Sequence, residues 1–132
     1  MTPEFLSLAE VLAIHRDQIE RYGGHTGIRD LGLLQSALAM PAAGFGGRFL
    51  HSDLIEMSAA YLFHIVQNHP FVDANKRTGT VAAIVFLSLN GIELEADETQ
   101  LEKLVFDVVK GKAGKNAIAD FLRKNSRETS PA

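Results

Sequence analysis

Nine consecutive residues, His69-Pro70-Phe71-Val72-Asp73-Ala74-Asn75-Lys76-Arg77, put an imidazole, a carboxylate, an amide and two cations side by side. An imidazole with a reference pKa of about 6.5 is largely neutral at pH 7 and can take a proton from a hydroxyl, which makes His69 a candidate general base. Asp73 offers the hard oxygen ligands that Mg²⁺ prefers when it also holds nucleotide phosphates. Asn75, Lys76 and Arg77 carry donors suited to phosphate oxygens. Phe71 is the apolar member, and its expected job is to pin the segment to the core so that its polar neighbours keep their places.

An apolar run, Thr78 to Leu89, follows directly and reads as a helix. The opening N–H groups of a helix lack internal partners and sit at the positive end of its dipole, so this junction suits an anion such as phosphate. A second interpretation of the same residues is structural: a His-Pro turn followed by Asp and Asn can leave one helix and cap the next, with Lys76 and Arg77 merely solvated. No Ser or Cys nucleophile sits in an evident triad, and neither a phosphate-binding glycine-lysine loop nor a His-Glu-x-x-His zinc motif is present. A metal hydrolase built on His69 and Asp73 lacks a third ligand that spacing identifies.

The elements that must hold this segment read as helices. Ser7 and Glu10 form a capping-box pattern ahead of Leu8, Leu12, His15, Ile19 and Tyr22, and Gly23-Gly24 ends the stripe. Asp30 caps a second helix carrying Leu33, Leu34, Ala37 and Leu38, with Pro41 as its stop. Gly44, Gly46 and Gly47 around Phe45 suggest a mobile flap between Ala42 and Arg48. Asp53 and Glu56 open a third helix with Ile55, Ala59, Leu62 and Val66 on one side. The fourth, from Thr78, has no polar face and is expected at the buried centre, with Gly91 ending it. Ile92 to Glu95 alternates like a short strand. Asp97 opens a fifth helix through Leu101, Leu104, Val105 and Val108 to Gly111, and a sixth runs from Asn116 through Leu122. Residues from Asn125 onward are expected to fray. The expectation is a single all-α domain over residues 1–132, a compact bundle of about six helices around one buried member.

At 132 residues the chain is long enough for one domain with a real core. No apolar run reaches membrane-spanning length, the N-terminus lacks the charge and hydrophobicity of a secretion signal, and there are no cysteines, so a cytoplasmic location without membrane contact is expected. A net charge of −3 argues against direct nucleic-acid binding, whose affinity would come from a basic surface. The charge is uneven: Glu93, Glu95, Asp97, Glu98 and Glu102 are clustered, and seven Lys or Arg residues lie between Lys103 and Arg127. Solvated helix faces are the simplest reading of both. His15 falls on an apolar stripe and is expected to be a hydrogen-bonded core residue.

The nine-residue segment resembles the signature of the Fic/Doc family, and Lys76 makes it similar to the Doc (death-on-curing) branch. The resemblance extends to Arg21-Tyr22-Gly23-Gly24, Gly27-Ile28-Arg29-Asp30 and Leu33-Leu34-Gln35-Ser36-Ala37-Leu38 with Pro41, covering roughly Leu8 to Gly91. Fic adenylyltransferases usually carry glycine at the positions of Ala74 and Lys76 and a second arginine at that of Thr80. In the Doc branch a lysine in place of glycine goes with ATP bound in reversed orientation, so that the γ-phosphate meets the acceptor. The resemblance therefore implies a protein Ser/Thr kinase using ATP and Mg²⁺, with elongation factor Tu as target and translation arrest as outcome.

By the same resemblance His69 is the base, Asp73 holds Mg²⁺, and Asn75, Lys76 and Arg77 bind ATP phosphates. Thr80 leaves one phosphate contact without a counterpart. The loop from Pro41 to His51 lies where family members hold a target segment. Ser52 and Glu56 have the spacing of the family's inhibitory helix, but Met57 breaks its pattern, so a separate Phd-like antitoxin is implied. Two alternatives stay open: a Fic-type adenylyltransferase moving AMP to a protein hydroxyl, and a non-catalytic helical binding module.

Overall fold

The computed structural model describes residues 2–129. Its six helices are α1 (Leu8–Tyr22), α2 (Leu31–Ala39), α3 (Leu54–Asn68), α4 (Asn75–Leu89), α5 (Glu98–Val109) and α6 (Lys115–Lys124). Two short antiparallel ribbons complete it: β1 (Gly44–Phe45) with β2 (Arg48–Phe49), and β3 (Ile92–Leu94) with β4 (Ser126–Glu128). The all-α class and the helix count are as the sequence implies. Four helices start where a side chain caps them. Ser7 accepts from the Glu10 N–H, Asp30 from Leu33, Asp53 from Glu56 and Asp97 from Gln100, each satisfying an orphan donor of a first turn.

The core has two halves, divided by the antiparallel pair α3 and α4. On one side Ile55, Leu62 and Val66 of α3 with Ala83 and Leu87 of α4 meet Val105 and Val108 of α5 and Ile118 and Leu122 of α6. On the other, Met57, Tyr61 and Ile65 with Ala82 and Phe86 meet Val11 of α1 and Leu34 and Ala37 of α2. Gly79 permits this close pairing, because a Cβ there would lie 3.1 Å from Val66 Cγ2 and 3.3 Å from the Leu62 carbonyl oxygen. The centre is shared, and α3 is the more enclosed of the two, with nine buried residues against seven in α4. Polar groups on α3 disguise this in the sequence. Ser58 donates to the Ala83 carbonyl at 2.9 Å, and the Tyr61 hydroxyl accepts from the Leu6 N–H at 2.9 Å, so both are buried without an unpaired atom.

Three expectations need correcting. The segment after Asn125 does not fray as far as it is described: Ser126–Glu128 pair with β3, and Arg127 is ion-paired with Glu93 at 2.8 Å and with Glu95. Strand pairing across a gap of thirty-odd residues leaves no local signal, and Glu93 lies on β3 with Glu95 just past its end, rather than on a helix face; residues 130–132 lie outside the described part. The glycine-rich flap is a tight hairpin, turning on Gly46 and Gly47 with φ of 62° and 80°. Helix α4 begins three residues earlier than the apolar run, so Asn75, Lys76 and Arg77 form its first turn.

A buried polar tie joins α3, α6 and the base of the flap. The Lys115 ammonium lies 3.2 Å from His64 Nε2 and 3.4 Å from His51 Nε2. Burial, with the Lys115 charge and His51 adding to it, pushes the His64 imidazole down from 6.5 to about 4. His51 is depressed for the same reasons, against a small opposing pull from Glu56. A histidine whose folded pKa is lowered contributes stability that is present above its unfolded value and is lost as pH falls toward its folded value. Melting temperature is therefore expected to fall as pH is lowered from about 6.5 to about 4, and His64→Gln is expected to flatten that slope. An unchanged slope in the variant would mean that His64 is not the titrating group.

Candidate functional site

The loop between α3 and α4 is clasped from both sides before any ligand is considered. Asn75 Oδ1 accepts from the Phe71 N–H at 2.9 Å and Asn75 Nδ2 donates to the Phe71 carbonyl at 3.0 Å. The Phe71 ring is fully buried and stacks on the His15 imidazole, with centroids 3.9 Å apart and planes 7° from parallel. His15 Nε2 donates to the Asp73 carbonyl at 3.0 Å, so one α1 side chain holds both the pin and the carboxylate-bearing residue. The segment 27–30 straps the outside. Ile28 bridges Phe71, the Gly27 carbonyl accepts from Val72 at 3.0 Å, and the N–H groups of Arg29 and Asp30 reach the Pro70 carbonyl at 2.7 and 3.0 Å. Arg29 adds side-chain bonds to the carbonyls of His69 (2.7 Å) and Asn68 (3.0 Å).

Within this frame two non-glycine residues adopt left-handed backbone, His69 at φ 49° and Ala74 at φ 63°. Each costs roughly 1–2 kcal/mol, the kind of strain that persists where the surroundings over-determine the geometry. His69 caps α3, its N–H donating to Ile65 and its carbonyl held by Arg29, while its side chain is left exposed. Ala74 occupies the N-cap position of α4 and no side chain caps that helix. The reading of Asp73 or Asn75 as a side-chain cap for α4 is thereby corrected. Neither Asp73 nor Asn75 serves as a cap, and the N–H groups of Asn75, Lys76 and Arg77 precede the first helical bond, which Thr78 makes to Ala74.

These groups face a cleft of about 300 Å³, lined by Val66, Gln67, His69, Val72, Asp73, Ala74, Asn75, Lys76 and Val109. That is at the lower end of the range for small-molecule sites. His69, Asp73, Lys76 and the open end of α4 thus come together as the sequence implies. Two of the residues are placed differently. The buried Asn75 amide is bonded to Phe71 through both its oxygen and its nitrogen, so it serves the turn before any ligand is considered; a tight turn that leaves one N–H and one C=O inward needs a group that both donates and accepts. Arg77 turns away from Lys76 and donates to the carbonyls of Gln18 and Gly23, each at 3.0 Å, at the negative end of α1.

Asp73 has the chemistry of a Mg²⁺ ligand. Its Oδ2 accepts from the His25 N–H at 3.1 Å and its Oδ1 from the Ala74 N–H at 2.8 Å. Those two backbone donors, then the nearby Arg77 and His25, hold its carboxyl below the usual aspartate value, so it stays ionised at any ordinary pH. One lone pair on each oxygen remains. Among the described residues no cluster of three or more His, Asp or Glu side chains could cage a metal ion. Gly24 keeps this arrangement possible: its φ is 123°, and a Cβ there would lie 2.7 Å from Asp73 Oδ2.

Sequence reasoning missed Arg29, Gly24 and one wall of the cleft. The C-terminal turn of α5 forms that wall, with Val109 lining the cleft and Phe106 carrying the Lys76 ammonium 4.7 Å from its ring centroid. The available signal was an exposed aromatic off the apolar stripe of α5. The Fic/DOC family profile matches residues 5–87, and the chain belongs to the Fic/DOC family. It is 34% identical over 119 residues to "Protein kinase doc" of Escherichia phage P1, an alignment covering 90% of this chain and 93% of that protein. It is 43% identical over 76 residues to "Toxin Doc" of Mycolicibacterium smegmatis (strain ATCC 700084 / mc(2)155), covering 58% of each. These relatives place it in the Doc branch. No helix among the described residues is long and apolar enough to cross a membrane.

Proposed function

We propose that this chain is the toxin of a toxin-antitoxin pair and acts as a protein kinase, moving the γ-phosphate of ATP to a Ser or Thr hydroxyl of elongation factor Tu and so arresting translation. The observation that carries the reading is Lys76 in the uncapped first turn of α4, beside a cleft into whose lining the exposed His69 enters. A glycine at that place would leave room for a polyphosphate chain across the helix end, whereas a long cation fills the space and supplies its own charge. Similarity to a relative named as a protein kinase over nearly the whole chain supports the same choice.

In this reading the His69 imidazole takes the hydroxyl proton as the oxygen bonds to the γ-phosphorus. The bond from that phosphorus to the bridging β-γ oxygen breaks, and ADP leaves. Lys76 and the first N–H groups of α4 stabilise charge on the transferring phosphoryl group. Asp73 would hold a Mg²⁺ ion, which would supply positive charge to offset that of the phosphates. The hairpin of β1 and β2 carries Phe45, almost fully exposed, and offers backbone edges on which an extended target segment could pair. A Phd-like antitoxin would fold onto the domain near the cleft.

Incubating the protein with purified elongation factor Tu and ATP labelled at either the α or the γ position separates this from AMP transfer. Label from the γ position alone is the expected result, and α-label on the target would replace the kinase with an adenylyltransferase. In the same assay, removing Gly44 to Gly47 is expected to abolish labelling of the target while ATP binding persists. Undiminished labelling would end the flap's role as a target clamp.

A further inference from the structure

The Phe106 ring is 51% exposed, yet two ammonium groups from different elements share it. Lys76 Nζ from α4 lies 4.7 Å from its centroid and Lys110 Nζ, one helical turn beyond Phe106, lies 5.4 Å away. Two like charges repel, and among the described residues neither lysine has a carboxylate partner; the carboxylate on this turn, Asp107, is taken by Lys103 at 3.2 Å. The Phe106 ring keeps the two ammonium groups within about 10 Å of each other without neutralising either charge. A pair of unneutralised cations on an aromatic platform is an unmet demand for an anion with more than one negative oxygen.

The platform adjoins the cleft. Phe106, Val109 and Lys110 are three or four residues apart and share one face of α5, and Val109 lines the cleft opposite His69 and Asp73. The position is fixed from below, since Gln67 of α3 donates to the Val108 carbonyl at 3.1 Å and Val108 is fully buried. Thr80, meanwhile, supplies no charge on the α4 side, its hydroxyl donating back to the Lys76 carbonyl at 2.8 Å. Arg77 is committed to α1.

We infer that Lys110 is a second polyphosphate-binding cation of this site, set beside Lys76 by the Phe106 ring, so that α4 and α5 grip the phosphate chain of the nucleotide between them. The inference rests on the nucleotide-binding part of the reading above, and not on which phosphorus is transferred. Phe106 is a positioning residue, acting through the two lysines.

Calorimetric titration of the full chain with magnesium-ATP and with inorganic tripolyphosphate tests it. Lys110→Gln is expected to weaken both ligands about fivefold at low salt and to reduce the salt dependence of binding, because one counter-charge is gone. Lys110→Arg is expected to restore most of the affinity. Phe106→Leu, which keeps apolar bulk but loses the ring's charge distribution, is expected to weaken binding about twofold to fivefold. Lys124→Gln removes the same charge from α6, where Lys124 is exposed, and is expected to change nothing. All three side chains are exposed, so the fold is not at stake.

If the native chain binds ATP and Lys110→Gln binds equally well, or if Lys124→Gln weakens binding as much, the paired-cation site is wrong and the kinase reading stands. If the native chain binds neither ligand, both fall together. Binding that depends on Lys110, with no label transferred to any target, would leave the site intact and remove the kinase.

Discussion

Replacing His69 with asparagine is expected to lower phosphoryl transfer by about 10²–10⁴-fold, the usual share of a positioned general base, with little change in melting temperature. Asparagine suits the position because it tolerates left-handed backbone at φ 49° and its side chain cannot act as a base at neutral pH. The contacts that hold residue 69 are made by its main chain, which donates to Ile65 and accepts from Arg29, and these survive the change. The exposed ring contributes no buried surface to lose. Transfer to elongation factor Tu, followed with γ-labelled ATP, measures the first effect and thermal melting the second. Full transfer by the variant would mean that another group accepts the proton. Growth arrest that persists on expressing the variant would favour a toxin that acts by binding.

The largest effect on stability is expected at Phe71. Its ring is completely buried between α1 and the α3–α4 pair, and truncation to alanine removes both its own transfer energy and its contacts with His15, Tyr61's cluster and Ile65. Phe→Ala changes at such sites cost about 3–5 kcal/mol, against a total stability of roughly 5–15 kcal/mol for a domain. For a chain of this size that corresponds to a fall of about 10–20 °C in melting temperature. Phe71→Leu keeps most of the volume and loses only the stack, so a fall of a third or less is expected. The loop should loosen with the pin, and ATP binding should weaken in Phe71→Ala at temperatures where the protein is still folded. A melting temperature within a degree or two of the native chain would show that the loop is held by Asn75 and the 27–30 strap alone.

These two residues also show how a single nine-residue segment divides its labour. Phe71 and the Asn75 amide hold the turn's geometry, and so allow His69 and Ala74 to stay in strained backbone that an unsupported loop would relax. The strain points the His69 side chain out and leaves the α4 N-terminus without a cap. Both are costs to folding, and both are features the proposed phosphoryl transfer would use.

Much of this was legible in the chain itself. Ser7, Asp30, Asp53 and Asp97 marked four helix starts because a cap bonds to an N–H only two or three residues on, so all the information is local. The composition of the 69–77 segment put the cleft-lining His69, Asp73 and Lys76 within reach of one another for the same reason, and His15 revealed itself as a core residue by falling on an apolar stripe. What no local pattern contained was the destination of each long side chain. Arg77 reaches carbonyls of Gln18 and Gly23, more than fifty residues away, and the amide of Asn75 turns back onto Phe71. Lys76 meets a ring supplied by α5, β4 pairs across a gap to β3, and Lys115 finds two histidines on other elements. A helix is decided by neighbours in sequence, through bonds four residues long. The direction of a flexible cation is decided by whichever carbonyl, ring or anion the packing of distant elements brings within a few ångströms, and only the assembled bundle settles that.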